Sequence, residues 1–315
     1  MTKQQAQQSS KTILMVSPTH FELNTQAVND NYFMNVPKDS TDVPKQGALE
    51  FMTYYNALKE AGVKVILMDS NDGVDTPDCI FPNNWFSTHN KEETGKDHDT
   101  LVLYPMLHLN RRLERRPKII EYLKNTLDNV ETIDLSVHEQ ENNFLEGTGS
   151  LVLDRVNRVA YVAISQRSHK LLAMEWAEKL GYQLVAFTAT DSHGKIIYHT
   201  NVMMAICSGF AICCLESVED IVEQRHLIDS LTKHHTLITI TRDQVNAFCG
   251  NVIEVQSQDG KKHFVCSKTA FDAFTPEQRT VIGKFSDGGF ITKDIPTIQY
   301  IGGGGIRCMI AEVFP

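Results

Sequence analysis

Short apolar runs rich in β-branched residues alternate along this chain with longer amphipathic stretches, and the two patterns predict different elements. Thr12–Val16 reads as a buried strand, and residues 48–60 carry apolar positions at helical spacing. Ala61-Gly62 closes that helix, because glycine takes the left-handed cap conformation without steric cost. A second strand follows over 63–68. Further helices are predicted over 117–127, 169–180 (closed by Gly181), 218–231 and 275–284. Strands are predicted over 101–104, 150–154, 160–164, 183–187, 202–206, 211–215, 236–240, 252–255 and 264–266. Residues 90–99, charged and polar, read as a surface loop.

The helices recur roughly every 50–70 residues, each after two or three short strands. That spacing fits stacked supersecondary units, although plain α/β layering is the simpler reading of periodicity alone. No Pro/Gly/Ser-rich linker interrupts the pattern, so the chain reads as one domain.

Composition narrows the class. The chain has 315 residues, 42% hydrophobic and 22% charged, as in an ordinary globular protein with a sizeable core. The formal net charge of -9 disfavours nucleic acid and anionic membranes as partners. The first ten residues are polar and predict a mobile tail, with no secretory apolar segment. Seven cysteines cannot all pair within one chain, and no CxxC is present, so free thiols and a cytoplasmic location are expected.

Four segments carry residues suited to chemistry. In Asp78-Cys79-Ile80-Phe81-Pro82-Asn83-Asn84-Trp85, two amides sit among large apolar residues. They suit a capped turn over a tryptophan-containing core, or Asn83 and Asn84 face a polar ligand. In Leu145-Glu146-Gly147-Thr148-Gly149-Ser150, the glycines permit a sharp turn or close approach to a ligand. The spacing is that of neither a Rossmann fingerprint nor a P-loop. Glu146, at the edge of a strand, is a solvated charge or a buried acid–base group.

His199 opens an apolar strand in Tyr198-His199-Thr200-Asn201-Val202, where it is a satisfied core histidine or a general acid–base. The last segment is Gly302-Gly303-Gly304-Gly305-Ile306-Arg307-Cys308, followed by strand-like residues to 313. Four glycines need a steric reason, and bending the chain to hold Cys308 in a cleft supplies one. A flexible spacer explains them less well, given the strand-like residues beyond. Arg307 beside Cys308 either favours a thiolate or, by the alternation of a strand, points away from it. Cysteine, histidine and glutamate at separated positions point to an activated-thiol enzyme. Zinc binding is the rival, but HExxH is absent, and Cys213-Cys214 and His234-His235 lack ligand spacing.

Taken in this order, the four segments resemble the guanidine-modifying superfamily of arginine deiminases, dimethylarginine dimethylaminohydrolases and amidinotransferases. The branch they resemble most is that of the citrulline utilization hydrolases. The resemblance runs from Val16 to Phe314. It implies a five-bladed, pseudo-symmetric α/β propeller of ββαβ repeats. It also implies Cys308 as nucleophile, His199 as general acid–base and Glu146 as the carboxylate that holds substrate nitrogen and supports the histidine. Ser165-Gln166-Arg167-Ser168 resembles a stretch that makes Arg167 a clamp for a substrate carboxylate, unless it is a surface charge at a helix start. Asp78 is a weaker match, facing the substrate amine. No metal or organic cofactor is implied; the partner is a small molecule, and family analogy allows a homodimer.

One departure bears on the substrate. Arginine deiminases hold the guanidinium between two aspartates, and this chain aligns Asn84 and Asn201 with those positions. Two amides compensate a buried cation poorly, whereas they match the donors and carbonyl of a neutral ureido group. Citrulline therefore fits better than arginine. Arginine deiminase, methylarginine hydrolase or amidinotransferase activity on the same residues is the first alternative, and a non-catalytic binding protein on the same fold the second.

Overall fold

The computed structural model describes residues 6–38 and 40–315. Among these residues fifteen strands form five three-stranded sheets of one repeated topology. In each, one strand pairs antiparallel with the central strand and another pairs parallel with it. Phe86–His89, Thr100–Leu103 and Glu131–Asp134 form one such sheet. Leu151–Asp154, Val159–Ala163 and Gln183–Phe187 form the next. Met204–Cys207, Phe210–Cys213 and Thr236–Thr239 follow, then Ile253–Gln256, Lys262–Ser267 and Gly289–Lys293. The remaining sheet joins the two ends of the chain: Thr12–Val16 pairs antiparallel with Ala311–Val313 and parallel with Lys64–Met68.

A parallel pair needs a crossover, and helices supply it. Val43–Glu60, Pro117–Thr126, Lys170–Leu180, Ile221–Thr232 and Pro276–Phe285 each lie between the two parallel strands of one sheet. Their ends are locally encoded. Asp42 caps Val43–Glu60 by accepting from Lys45 N, so this helix begins five residues before the apolar pattern does. Thr275 and Gln278 form a reciprocal capping box, and Gly181 closes Lys170–Leu180 at φ 69°.

Strand positions agree with the sequence reading to within a few residues. Three strands went unpredicted: Phe86–His89, Glu131–Asp134 and Gly289–Lys293. The second and third are partly exposed edge strands without an apolar run. The expected surface loop over 90–99 is instead partly built into the interior. It contains the short helix Lys91–Thr94, and Glu93 is buried against Arg155 at 2.7 Å, so its charge is compensated. Most apolar side chains fall into three buried clusters between the sheets and their helices.

First strands of neighbouring sheets meet in the middle: Leu151–Asp154 packs on Met204–Cys207, which packs on Ile253–Gln256. Between them lies a narrow cavity lined by Gln8, Glu254, Arg307 and Glu312 among others. Here the expectation of a mobile ten-residue tail needs correction. Residues 1–5 lie outside the described residues, but Gln8, Ser9 and Ser10 are buried. Gln8 Nε2 donates to Leu153 O and Ile206 O, and its Oε1 accepts from Arg155 N. Polarity here marks a segment bonded to inner-strand backbone rather than one left in solvent.

Candidate active site

Cys308 lies in a turn, not in the strand expected for it; only Ala311–Val313 is extended. The glycine run explains the turn. Helix Pro296–Gly302 ends at Gly303, whose φ of 61° is left-handed. A Cβ on Gly304 would stand 3.3 Å from Cys308 Sγ, so the backbone passes directly beside the thiol. The side chain of Arg307 leaves the site, donating to Ile310 O at 2.8 Å and approaching Glu312 at 3.3 Å.

His199 does not open a strand either. It is an extended residue capping the short 3-10 turn Thr200–Val202, with Met204–Cys207 beyond. Its Nε2 lies 2.8 Å from Glu146 Oε2. Glu146 precedes the short helix Gly147–Ser150, and its other oxygen accepts from Leu107 N at 3.0 Å. Of the two readings, solvated charge or buried group, the structure gives the buried one. Burial acts to raise the Glu146 carboxyl, but Arg167, the His199 hydrogen bond and Arg111 together hold it well below the ordinary range. Burial pushes the His199 imidazole down against the opposite pull of Glu146. With Glu146 ionised and His199 neutral, Nε2 carries the donated proton, and Nδ1 is the basic nitrogen.

Gly149 makes room for this arrangement. A Cβ there would stand 2.4 Å from Asn84 Nδ2 and 2.8 Å from His199 Nδ1. Asn84 accepts at Oδ1 from Arg111 Nη1, 2.9 Å away, and its Nδ2 is buried without a partner. Arg111 is also forked onto Glu114 at 2.9 and 3.1 Å. It escaped the sequence reading because Asn110-Arg111-Arg112-Leu113-Glu114-Arg115-Arg116 looks like a solvated charge run. No local signal distinguishes the buried Arg111 from its exposed-looking neighbours.

Cys308, His199, Asn84, Asp78, Arg111 and Arg167 line one narrow pocket. Asp78 Oδ2 accepts from Asn24 Nδ2 at 2.7 Å, while Oδ1 is buried and unpartnered. Arg167 is not a surface charge: it is 2% exposed and stacks over the Tyr198 ring at 4.9 Å. Its fork is occupied by Asp30, with Nε and Nη2 at 2.9 and 2.8 Å from the carboxylate oxygens. Asn83 is buried next to the site but does not line it, since successive residues of a 3-10 turn point about 120° apart. Asn201 sits behind Cys308, with Nδ2 3.7 Å from its Sγ, and lines the central cavity instead of the pocket.

All seven cysteines are free and buried. Burial pushes the Cys308 thiol up, opposed by a hydrogen bond from Asn251, the Arg307 charge and Asn201. Among the described residues no group of three histidine, cysteine or acidic side chains could hold a metal, and no helix is long and apolar enough to cross a membrane.

The family profile for N,N-dimethylarginine dimethylhydrolase, eukaryotic, matches residues 17–315. The chain belongs to this family. Its place is within the guanidine-modifying superfamily, in agreement with the sequence resemblance. No curated protein matches the chain. Among solved structures, this family member is similar to the apo form of ArgZ, an arginine dihydrolase from the ornithine-ammonia cycle in cyanobacteria. The TM-score is 0.72 at 18% identity, over 96% of this chain and 40% of that one. The substrate-bound N-terminal domain of ArgZ aligns with a TM-score of 0.70 at 18% identity, over 96% and 97%. A cysteine-to-serine mutant of DDAH from Pseudomonas aeruginosa, complexed with citrulline, aligns with a TM-score of 0.61 at 16% identity, over 96% and 99%. The chain thus spans well under half of full-length ArgZ, and at these identities the likeness is one of fold.

Proposed function

We propose that the protein is a cysteine hydrolase of the ureido C–N bond of citrulline, giving ornithine, ammonia and carbon dioxide. The five sheets are read as the blades of one propeller-shaped catalytic domain over 11–315, acting in the cytoplasm. The observation that carries the substrate is the orientation of Asn84. Arginine side chains only donate, so Arg111 takes Oδ1 and leaves Nδ2 as an unpartnered buried donor, which we read as the end that meets the substrate. A guanidinium has no acceptor to offer that N–H. A ureido carbonyl accepts from it.

In this reading Asp78 Oδ1 takes the substrate ammonium, and the substrate carboxylate exchanges with Asp30 for the Arg167 fork. Cys308 Sγ attacks the ureido carbon and gives up its proton through His199. The bond to the ornithine nitrogen breaks as that nitrogen takes a proton, leaving a thiocarbamate on Cys308. Water, deprotonated by His199, then displaces the sulfur, and the released carbamate separates into ammonia and carbon dioxide. Glu146 keeps the imidazole in the tautomer this needs.

Purified protein incubated with citrulline, arginine, methylarginines and agmatine tests the reading. Ornithine from citrulline alone, lost in Cys308→Ser, is the expected result. Citrulline released from arginine or from methylarginines, as the family's name describes, would overturn the substrate. Turnover by Cys308→Ser at the wild-type rate would overturn the nucleophile. Labelling of Cys308 no faster than the other thiols, together with no turnover, would favour a binding protein.

A further inference from the structure

Asn251 is a second group that the sequence does not single out, and its place is set by three segments at once. It follows Gly250, where a Cβ would stand 2.3 Å from Val202 O, so the loop lies directly on the turn after His199. Its Oδ1 accepts from Gly305 N at 3.0 Å, at the end of the glycine run. Its Nδ2 donates to Asn201 O at 3.1 Å and lies 3.3 Å from Cys308 Sγ.

Those two backbone partners fix the amide. Gly305 N–H only donates and Asn201 C=O only accepts, so the group cannot rotate by half a turn without losing both. One N–H is spent on Asn201 and the other is aimed at the sulfur. A neutral thiol is a weak acceptor and gains little from it, whereas a thiolate gains a charge-assisted bond. In its neutral form the thiol also has a use for the same side chain, since Sγ stands 3.6 Å from Oδ1. The residue is 2% exposed, so water does not substitute for it.

We propose that Asn251 is a positioning residue for the nucleophile, holding the Cys308 turn in register with the His199 segment and favouring the thiolate through its N–H. This rests on the reading of Cys308 as nucleophile. The charged and titratable groups around the sulfur are Arg307 on its own turn, Tyr198 across the pocket, His199, Arg111, Arg167 and Asp78 in the walls, and Glu146 behind His199. Except for Arg307 they belong to other segments, and none of them replaces a neutral donor fixed beside the sulfur.

The test is the pH profile of Cys308 alkylation by iodoacetamide, read by peptide mapping, in wild type, Asn251→Asp and Asn251→Ser. Removing a hydrogen bond to a charged acceptor moves the inflection up by about one to two pH units in both variants. Asn251→Asp, isosteric but anionic, moves it further than Asn251→Ser. With citrulline, kcat falls by more than tenfold while KM changes little. An unchanged inflection in either variant that melts within a few degrees of wild type would overturn the proposal. Alkylation does not depend on the substrate, so a failure of wild type to hydrolyse citrulline sinks the substrate reading and leaves this result standing.

Discussion

Arg111 Nη1 donates to Asn84 Oδ1 across 2.9 Å, and this one bond leaves Nδ2 as the unpartnered end of the amide. An asparagine free to turn would offer either a donor or an acceptor. Tied to an arginine, it offers only N–H. Asn84→Asp should therefore do more than change a charge, because it removes the donor and adds a second acceptor. We expect kcat/KM for citrulline to fall about 10- to 100-fold, the cost of leaving a buried carbonyl unpaired. The ratio of arginine to citrulline turnover should rise. An unchanged ratio would show that Asn84 does not read the substrate.

A Cβ on Gly149 would run into both Asn84 and His199. Gly149→Ala should push both side chains off their positions and lower kcat about 100-fold, since displacements near 1 Å are enough for such losses. The fold should survive, because the first contacts are side-chain ends. Circular dichroism and steady-state kinetics on the same preparation separate the two effects.

Asp30 gives a pH-dependent contribution to stability. Burial opposes its ionisation, but His108 and Arg167 bring its carboxyl from 3.8 down to about 2. A lowered carboxylate stabilises the fold above its unfolded value and loses that effect as pH falls through the folded one. Asp30→Asn should cost about 2 kcal/mol at pH 7, a deficit that shrinks below about pH 4 and vanishes near pH 2. Urea titrations at pH 7, 4 and 3 measure it; a constant deficit would mean the ion pair is not its source.

Gln8 ties the N-terminal segment to the backbone of two sheets. Gln8→Ala leaves a buried N–H and two carbonyls short of partners and should cost about 2 kcal/mol. Denaturant midpoints test this, and a variant as stable as wild type would mean that the segment is dispensable.

Much of this protein was legible in its sequence because the information is local. Helix ends follow from Asp42, Thr275 and Gly181, whose side chains or φ angles act within one turn of chain. Central strands such as Val159–Ala163 follow from continuous burial on both faces. The motifs around Asn84, Glu146, His199 and Cys308 stood out because asparagine, charge and consecutive glycines are costly inside apolar runs. Edge strands lack such a signal, and so Glu131–Asp134 and Gly289–Lys293 went unread.

The sequence by itself singled out the residue types expected to carry the chemistry and the alternation of short strands and amphipathic helices around them. The tertiary structure alone decided which partner each of them has. Arg111 and Asn251 reach Asn84 and Cys308 from 27 and 57 positions away in the chain, and Asp30 fills the Arg167 fork from 137 away. Hydrogen bonds across such separations exist only after loop closure has brought the segments together, so no local pattern records them. Orientation of an amide, occupancy of a guanidinium fork and burial of a charge all depend on those distant partners.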